Sequence, residues 1–343
     1  MWRSVTQHHP IIGYTFIPGI KARVRLPNEP VGYLIRVNEQ GFRCDHDFVP
    51  EKREGQTRAL LFGDSFTAGD GVSNGHRYGD LLEQMIPDLE VYNFGLPGTG
   101  TDQQYLAYQE YGAGIEHDLL ILAVTVENIG RVASRLRPYI NEQGETVIYA
   151  KPYYLLEGDK LMLKNVPVAK EPIRQSEIDA DEAQHVDWGL PFAGLRKFAR
   201  QLGLRDLAQK VTHFQPVPDY RTPDNPKWLV MRAIIEAWMG ASRVPVILMP
   251  VPLFPFVEGS SDPTNYQARF REVARATGCT LHDPLPDLRN YSPAERRRFR
   301  FERDVHLTTA GHAAIAASLA PVVARLIGVE QISKRAHMGV EVL

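Results

Sequence analysis

The chain has 343 residues, 43% of them hydrophobic and 23% charged, which is enough apolar material for one large domain or two modest ones. Its 39 Lys and Arg against 41 Asp and Glu give a formal net charge of -2, which excludes the strongly basic footprint of a nucleic-acid binder. Cys44 and Cys279 leave a single disulfide open, but no C-x-x-C or H-E-x-x-H spacing offers a metal site. The opening residues lack the basic start and apolar run of a signal peptide. No uninterrupted apolar stretch reaches the roughly 18–20 residues that cross a bilayer. The expected location is therefore the cytoplasm.

Residues 1–55 are rich in Pro and Gly, and KARVRL (21–26) and GYLIRVN (32–38) read as short strands, so this part is expected to be a β-rich extension. The character changes near residue 57. TRALLFG (57–63), LEVYNFG (89–95), DLLILAVT (118–125), VPVILMPV (244–251) and, more weakly, CTLHD (279–283) have the continuous apolar character of buried parallel strands. Helical patterns fall between and after them, at 78–86, 102–112, 228–240, 266–278 and 308–328, the last with a threonine N-cap and Gly328 as its stop. This alternation predicts a parallel sheet covered on both faces, with any site beyond the carboxyl ends of its strands. Between two core strands, 138–222 is too long for a plain loop; it contains a hairpin at 153–168 that turns at Gly158-Asp159 and a short helical stretch near 192–211. The expected organisation is an extension over 1–55, a core over 56–137 and 223–330, a cap or lid over 138–222, and a tail over 331–343.

Four segments sit where chemistry is expected. In LLFGDSFTAGDG (60–71), Ser65 follows a buried strand and opens a helix, which exposes its hydroxyl and sets its N–H where negative charge is favoured. A plain N-cap or a phosphate-binding turn reads equally well there. The glycines of YNFGLPGTGTDQ (92–103) allow close backbone approach, and an N–H at Gly98 could face a substrate oxygen; a simple Gly-Pro turn is the alternative. Asn128, just past a strand, offers either an amide donor or an ordinary turn residue. In RDVHLTTAGH (303–312), Asp304 can fix the tautomer of His306 so that Nε2 becomes a base. His312 reads as a structural histidine of the following helix.

Together, GDS, a downstream glycine turn, a post-strand Asn and a D-x-H near the C-terminus resemble the SGNH, or GDSL-like, hydrolases over roughly 57–132 and 243–328. The third block departs from the common G-N-D, reading Glu127-Asn128-Ile129, and the last is D-x-H rather than D-x-x-H. VNEQGFR (37–43) ahead of GDSFTAGDGV looks like bacterial members associated with surface-polysaccharide or natural-product pathways. The resemblance implies an α/β fold, flavodoxin-like, with three α/β/α layers around about five parallel strands. It implies a Ser65-His306-Asp304 triad supported by Asp64, with an oxyanion hole from Ser65, Gly98 and Asn128, and no cofactor or metal. The implied activity is a serine esterase on an O-acylated, O-acetyl above all, saccharide or small molecule; an acyltransferase, a thioesterase and a non-catalytic binder are the alternatives.

Two arginine clusters are tethered to these loops: Arg131, Arg135 and Arg137, and Arg296, Arg297, Arg298, Arg300 and Arg303. A solvated face is one reading. The other is an anionic substrate gripped by guanidinium groups, with Arg131 and Arg303 as the candidate contacts.

Overall fold

The computed structural model describes residues 5–26, 29–140, 145–174, 178 and 215–330. Two antiparallel hairpins open the chain, β1 (Thr6–His9) with β2 (Gly13–Phe16) and β3 (Lys21–Val24) with β4 (Tyr33–Arg36). The core begins with β5 (Thr57–Phe62), the one-turn helix α1 (Ser65–Ala68), α2 (Tyr78–Met85) and β6 (Leu89–Asn93). It continues through α3 (Thr101–Ala107), which runs on as a π-helical turn over Tyr108–Gly112, then β7 (Leu119–Thr125) and α4 (Asn128–Val132). Two further hairpins follow, β8 (Leu136–Ile140) with β9 (Thr146–Ala150) and β10 (Tyr153–Glu157) with β11 (Lys160–Lys164). The chain returns to the core in α5 (Pro226–Ala241), β12 (Val246–Val251), the short α6 (Phe254–Val257), α7 (Thr264–Thr277) and β13 (Thr280–Leu281). Short helices α8 (Leu285–Arg289) and α9 (Pro293–Arg297) lead to the long α10 (Thr309–Leu326).

The central sheet has five parallel strands in the order β13-β12-β7-β5-β6. All seven residues of β7 and all six of β12 are buried. A strand covered on both faces cannot alternate polar with apolar side chains, and this is why these segments read as unbroken apolar runs. One covering layer is α3, α4, α5 and α7, and the other is α2 with α10. Trp228, Met231, Ile234, Ile235 and Trp238 are the buried stripe of α5. Trp238 meets Phe62 edge-on at 5.1 Å, and Phe62 stacks on Phe94 at 4.4 Å, joining helix to sheet. Helix α10 has the length and apolarity of a membrane span, yet 56% of that window is buried in the protein, as in a core helix. Its Thr308 side chain accepts from the Gly311 N–H, the N-cap expected from the sequence.

The weak CTLHD strand is only two residues long. The hairpin at 153–168 turns at Gly158-Asp159 as its sequence indicates, with Glu157 paired to Lys160. The expected helix near 192–211 and the tail at 331–343 lie outside the described residues. Cys44 and Cys279 are both free thiols.

One close approach sets where α1 can lie. A Cβ on Gly95 would fall 2.3 Å from the Ala68 backbone nitrogen and 2.8 Å from its Cα, so the loop after β6 packs backbone to backbone on α1. No side chain can swing away to relieve that contact. Gly95→Ala is expected to cost about 3 kcal/mol, read as a lower urea midpoint at unchanged m-value.

Candidate active site

Every candidate site segment leaves the carboxyl end of a strand of the central sheet or enters the last helix. Ser65 is the first residue of α1, immediately beyond β5, and is buried to 5% exposure. The first N–H groups of a helix have no intrahelical acceptor, so the Ser65 N–H is available to a ligand. Asp64 is the N-cap and accepts from the Phe66 N–H at 3.0 Å. Its fully buried carboxylate also accepts from the Thr125 hydroxyl at 3.0 Å, at the end of β7, and from Arg131 at 2.8 Å.

His306 comes from the loop before α10. Its Nε2 lies 2.8 Å from Ser65 Oγ, and its Nδ1 lies 2.5 Å from Asp304 Oδ1, which also accepts the His306 backbone N–H at 3.0 Å. Burial disfavours the imidazolium, but the Asp304 hydrogen bond and the charges of Asp70, Asp304 and Asp64 outweigh it, holding His306 above its ordinary 6.5. Burial pushes the Asp304 carboxyl up, and the hydrogen bond and charge of His306 with two backbone N–H donors bring it below its ordinary value. A hydroxyl, an imidazole and a carboxylate thus form one hydrogen-bonded chain.

Gly98 has φ +76°, a left-handed conformation, in the loop after β6. The Arg137 guanidinium occupies the place of the missing side chain, since a Cβ there would meet it at 1.9 Å. Asn128 is fully buried at the start of α4. Its Oδ1 accepts from Arg131 at 3.0 Å, while its Nδ2 is a buried donor with no partner among the described residues. Buried donors are rarely left unsatisfied, and this amide is able to donate to an incoming oxygen.

Ser65, Gly98 and His306 open on a cavity of about 910 Å³. Residues 1–55, for which the sequence offered no role, supply Tyr14, Arg25 and Tyr33 to its walls; the core segment ends on Arg137 there, and residues 138–222 add Tyr139 and Lys151. Lys151 is itself buried and forms an ion pair with Asp102 of α3, tying the insertion to the core.

The two candidate arginines are placed differently. Arg131 borders the cavity, but its guanidinium donates to Asp64, Asn128, the Thr99 carbonyl and Glu127; it positions loops instead of reaching out to a ligand. Arg303 is exposed and is not part of the cavity wall. Arg296 donates to the Val257 carbonyl and Arg300 pairs with Glu258, so that cluster braces the loop after β12. A loop contact of this kind depends on residues about 40 positions away and carries no local signal.

Two residues with a bearing on the site were missed. Asp70 lies inside the GDSFTAGDG block and is 2% exposed, with Oδ2 3.8 Å from His306 Nε2. Arg43, the last residue of VNEQGFR, is fully buried and donates to the Ala68 carbonyl at 2.9 Å, the Gly69 carbonyl at 2.6 Å and the Val72 carbonyl. It clamps the turn that closes α1. His312 is structural as expected: Nδ1 accepts from the Tyr78 N–H at 3.3 Å, and burial drives its pKa down to about 3.

A second Ser-His-Asp cluster shows why composition alone does not define a site. Ser318 Oγ lies 3.0 Å from His282 Nε2 and 2.6 Å from Asp287. Here the carboxylate binds the hydroxyl, not the far imidazole nitrogen, and none of the three borders the cavity.

The family model of the GDSL-like lipase/acylhydrolase family matches residues 61–314, and the chain belongs to that family. It is a hydrolase acting on ester bonds. No curated protein matches the chain. Solved structures with some likeness include a lipase/acylhydrolase from Enterococcus faecalis (14% identity, covering 78% of this chain and 95% of that one, TM-score 0.42). The acetylxylan esterase Axe2 from Geobacillus stearothermophilus is 15% identical, with 81% and 97% covered and a TM-score of 0.42. A lipolytic G-D-S-L family protein from Veillonella parvula is 10% identical, with 79% and 100% covered and a TM-score of 0.41.

With His306 held above 6.5, a reaction that needs its neutral imidazole should show a kcat/KM that climbs with pH through an apparent pKa above that value and falls away below it. A pH–rate profile on an activated ester with a pH-independent leaving group checks this.

Proposed function

We propose that this protein is a serine esterase in which Ser65 is the nucleophile, His306 the base and Asp304 its orienter, acting on an O-acylated, and above all O-acetylated, saccharide or small molecule. The observation that carries the reading is the hydrogen-bonded chain from Ser65 Oγ through His306 to Asp304, at 2.8 and 2.5 Å, opening on a cavity. His306 Nε2 takes the Ser65 proton as Oγ attacks the ester carbonyl, whose π electrons move onto oxygen. That oxyanion is received by the Ser65 and Gly98 N–H groups and the orphaned Asn128 amide. Collapse breaks the C–O bond, the leaving alcohol takes the proton from Nε2, and an acyl-enzyme remains. Water, deprotonated by the same nitrogen, releases the acid and restores Ser65.

The cavity lining is mixed: Val24, Leu26, Phe66 and Val305 give it apolar surface, and polar and charged side chains stand among them. Gln7, His8, Arg25, Gln103 and Lys170 face it along with Arg137. Arg25, Arg137 and Lys170 favour an alcohol portion that carries negative charge.

Hydrolysis of p-nitrophenyl acetate by wild type and Ser65→Ala tests the nucleophile; the variant should fall to background while its fold, read by circular dichroism, is unchanged. Equal rates in the two would reject the assignment. Asn128→Ala should lower kcat by roughly 100- to 1,000-fold with KM little changed. The charge preference is read from the salt dependence of kcat/KM for anionic and neutral acetates of equal leaving group: only the anionic ester should lose rate as salt rises.

A further inference from the structure

Asp70 is a buried carboxylate with no side-chain hydrogen bond to its Oδ1 among the described residues. It is 2% exposed. Its own N–H donates to the Ser65 carbonyl at 3.0 Å, which fixes it one turn beyond the nucleophile. A carboxylate kept for structure is normally paired or multiply hydrogen-bonded. Arg43 is the nearby cation, but its guanidinium donates to the Ala68, Gly69 and Val72 carbonyls and to Asn74. What Asp70 does face is the reacting edge of His306, with Oδ2 3.8 Å from Nε2, on the wall of the cavity.

We propose that Asp70 is a second positioning carboxylate for the Ser65–His306 pair, stabilising from the Nε2 side the imidazolium that Asp304 stabilises from the Nδ1 side. The proposal rests on the reading of Ser65 as nucleophile and His306 as base. When the Ser65 O–H bond breaks, its proton becomes the Nε2–H, and the Oγ–carbonyl bond forms. The cation then lies between two carboxylates until the leaving oxygen takes that proton. Asp70 gains and loses no proton in the step; it acts through its charge.

The groups around the pair set the sign of the pH effect. Asp304 and Asp64 add negative charge to His306, while His312, which burial drives down to about 3, stays neutral beside it. Burial raises Asp70 from 3.8 to about 7, against the pull of His306 and Arg43 and with help from Asp64 and Asp304; Tyr33 also faces it. The folded chain therefore binds the Asp70 proton more tightly than the unfolded chain. Ionising it drains stability as pH rises from about 4 to 7. A carboxylate kept against stability is one whose removal should strengthen the fold and weaken the reaction.

Wild type, Asp70→Asn and Asp70→Glu are to be compared in fluorophosphonate labelling of Ser65 and p-nitrophenyl acetate turnover from pH 5 to 9, with Tm at pH 8. Wild type should label at Ser65. Asp70→Asn should move the acid limb of both profiles down by about one pH unit and lower the plateau about tenfold. It should also raise Tm at pH 8. Asp70→Glu should return the limb toward wild type. Should Asp70→Asn fail to fold, Asp70→Ser takes its place in every arm. Wild-type labelling with an unmoved acid limb, or a limb that moves equally in the Glu variant, overturns the Asp70 proposal alone. Absence of labelling in wild type overturns the nucleophile reading and this proposal with it.

Discussion

The buried ion pair between Asp64 and Arg131 is the constraint on which the site depends. Asp64 belongs to the turn after β5, and its carboxylate reaches the Phe66 N–H, the Thr125 hydroxyl at the end of β7 and the guanidinium. Arg131 reaches on to the Thr99 carbonyl in the glycine loop after β6 and to Asn128. Loops from three adjacent strands are therefore held by one pair. Burying two charges is costly unless both are satisfied on all sides, and here they are. That requirement converts three separately folded turns into one arrangement, with the Asn128 amide turned so that its oxygen is occupied and its donors are not.

The cavity is built by segments outside the parallel sheet, and each is tied to the core by a buried cation. Arg43 carries the opening hairpins onto the turn that closes α1, donating to carbonyls at the helix end. Lys151 carries the insertion onto α3 through Asp102 and donates to the Arg131 and Ser134 carbonyls. Both anchors end within a few residues of the reacting groups. Substrate recognition in this architecture can therefore change through the walls while the Ser65, Asp64 and Arg131 framework stays as it is.

The parts of the fold that were legible beforehand are those with local causes. Strands β5, β7 and β12 are continuous apolar runs because both their faces are covered. The last helix starts where Thr308 caps it, and the hairpin at 153–168 turns where Gly158 permits a φ of +60°. The places of Ser65 after β5 and of Asp304 beside His306 were legible for the same reason, since a strand-to-helix turn and a D-x-H spacing act over a few residues. Arg131 was expected to contact substrate, and in the structure it lines the cavity while donating to neighbouring loops. Its position was visible in the sequence, whereas the identity of its acceptors, Asp64 and Thr99, was not.

By itself the sequence determined the order of strands and helices, the sheet's parallel character and the segments that could carry a nucleophile and its base, because burial periodicity, capping and short-range hydrogen bonding are local physics. Only the tertiary structure decided which charges face the reaction. Asp70, Arg43, Arg137 and Lys151 acquire their surroundings from segments tens of residues distant, while Arg303 is left outside the cavity wall. Charge in a protein acts through distance and desolvation, and neither quantity exists until the chain has packed.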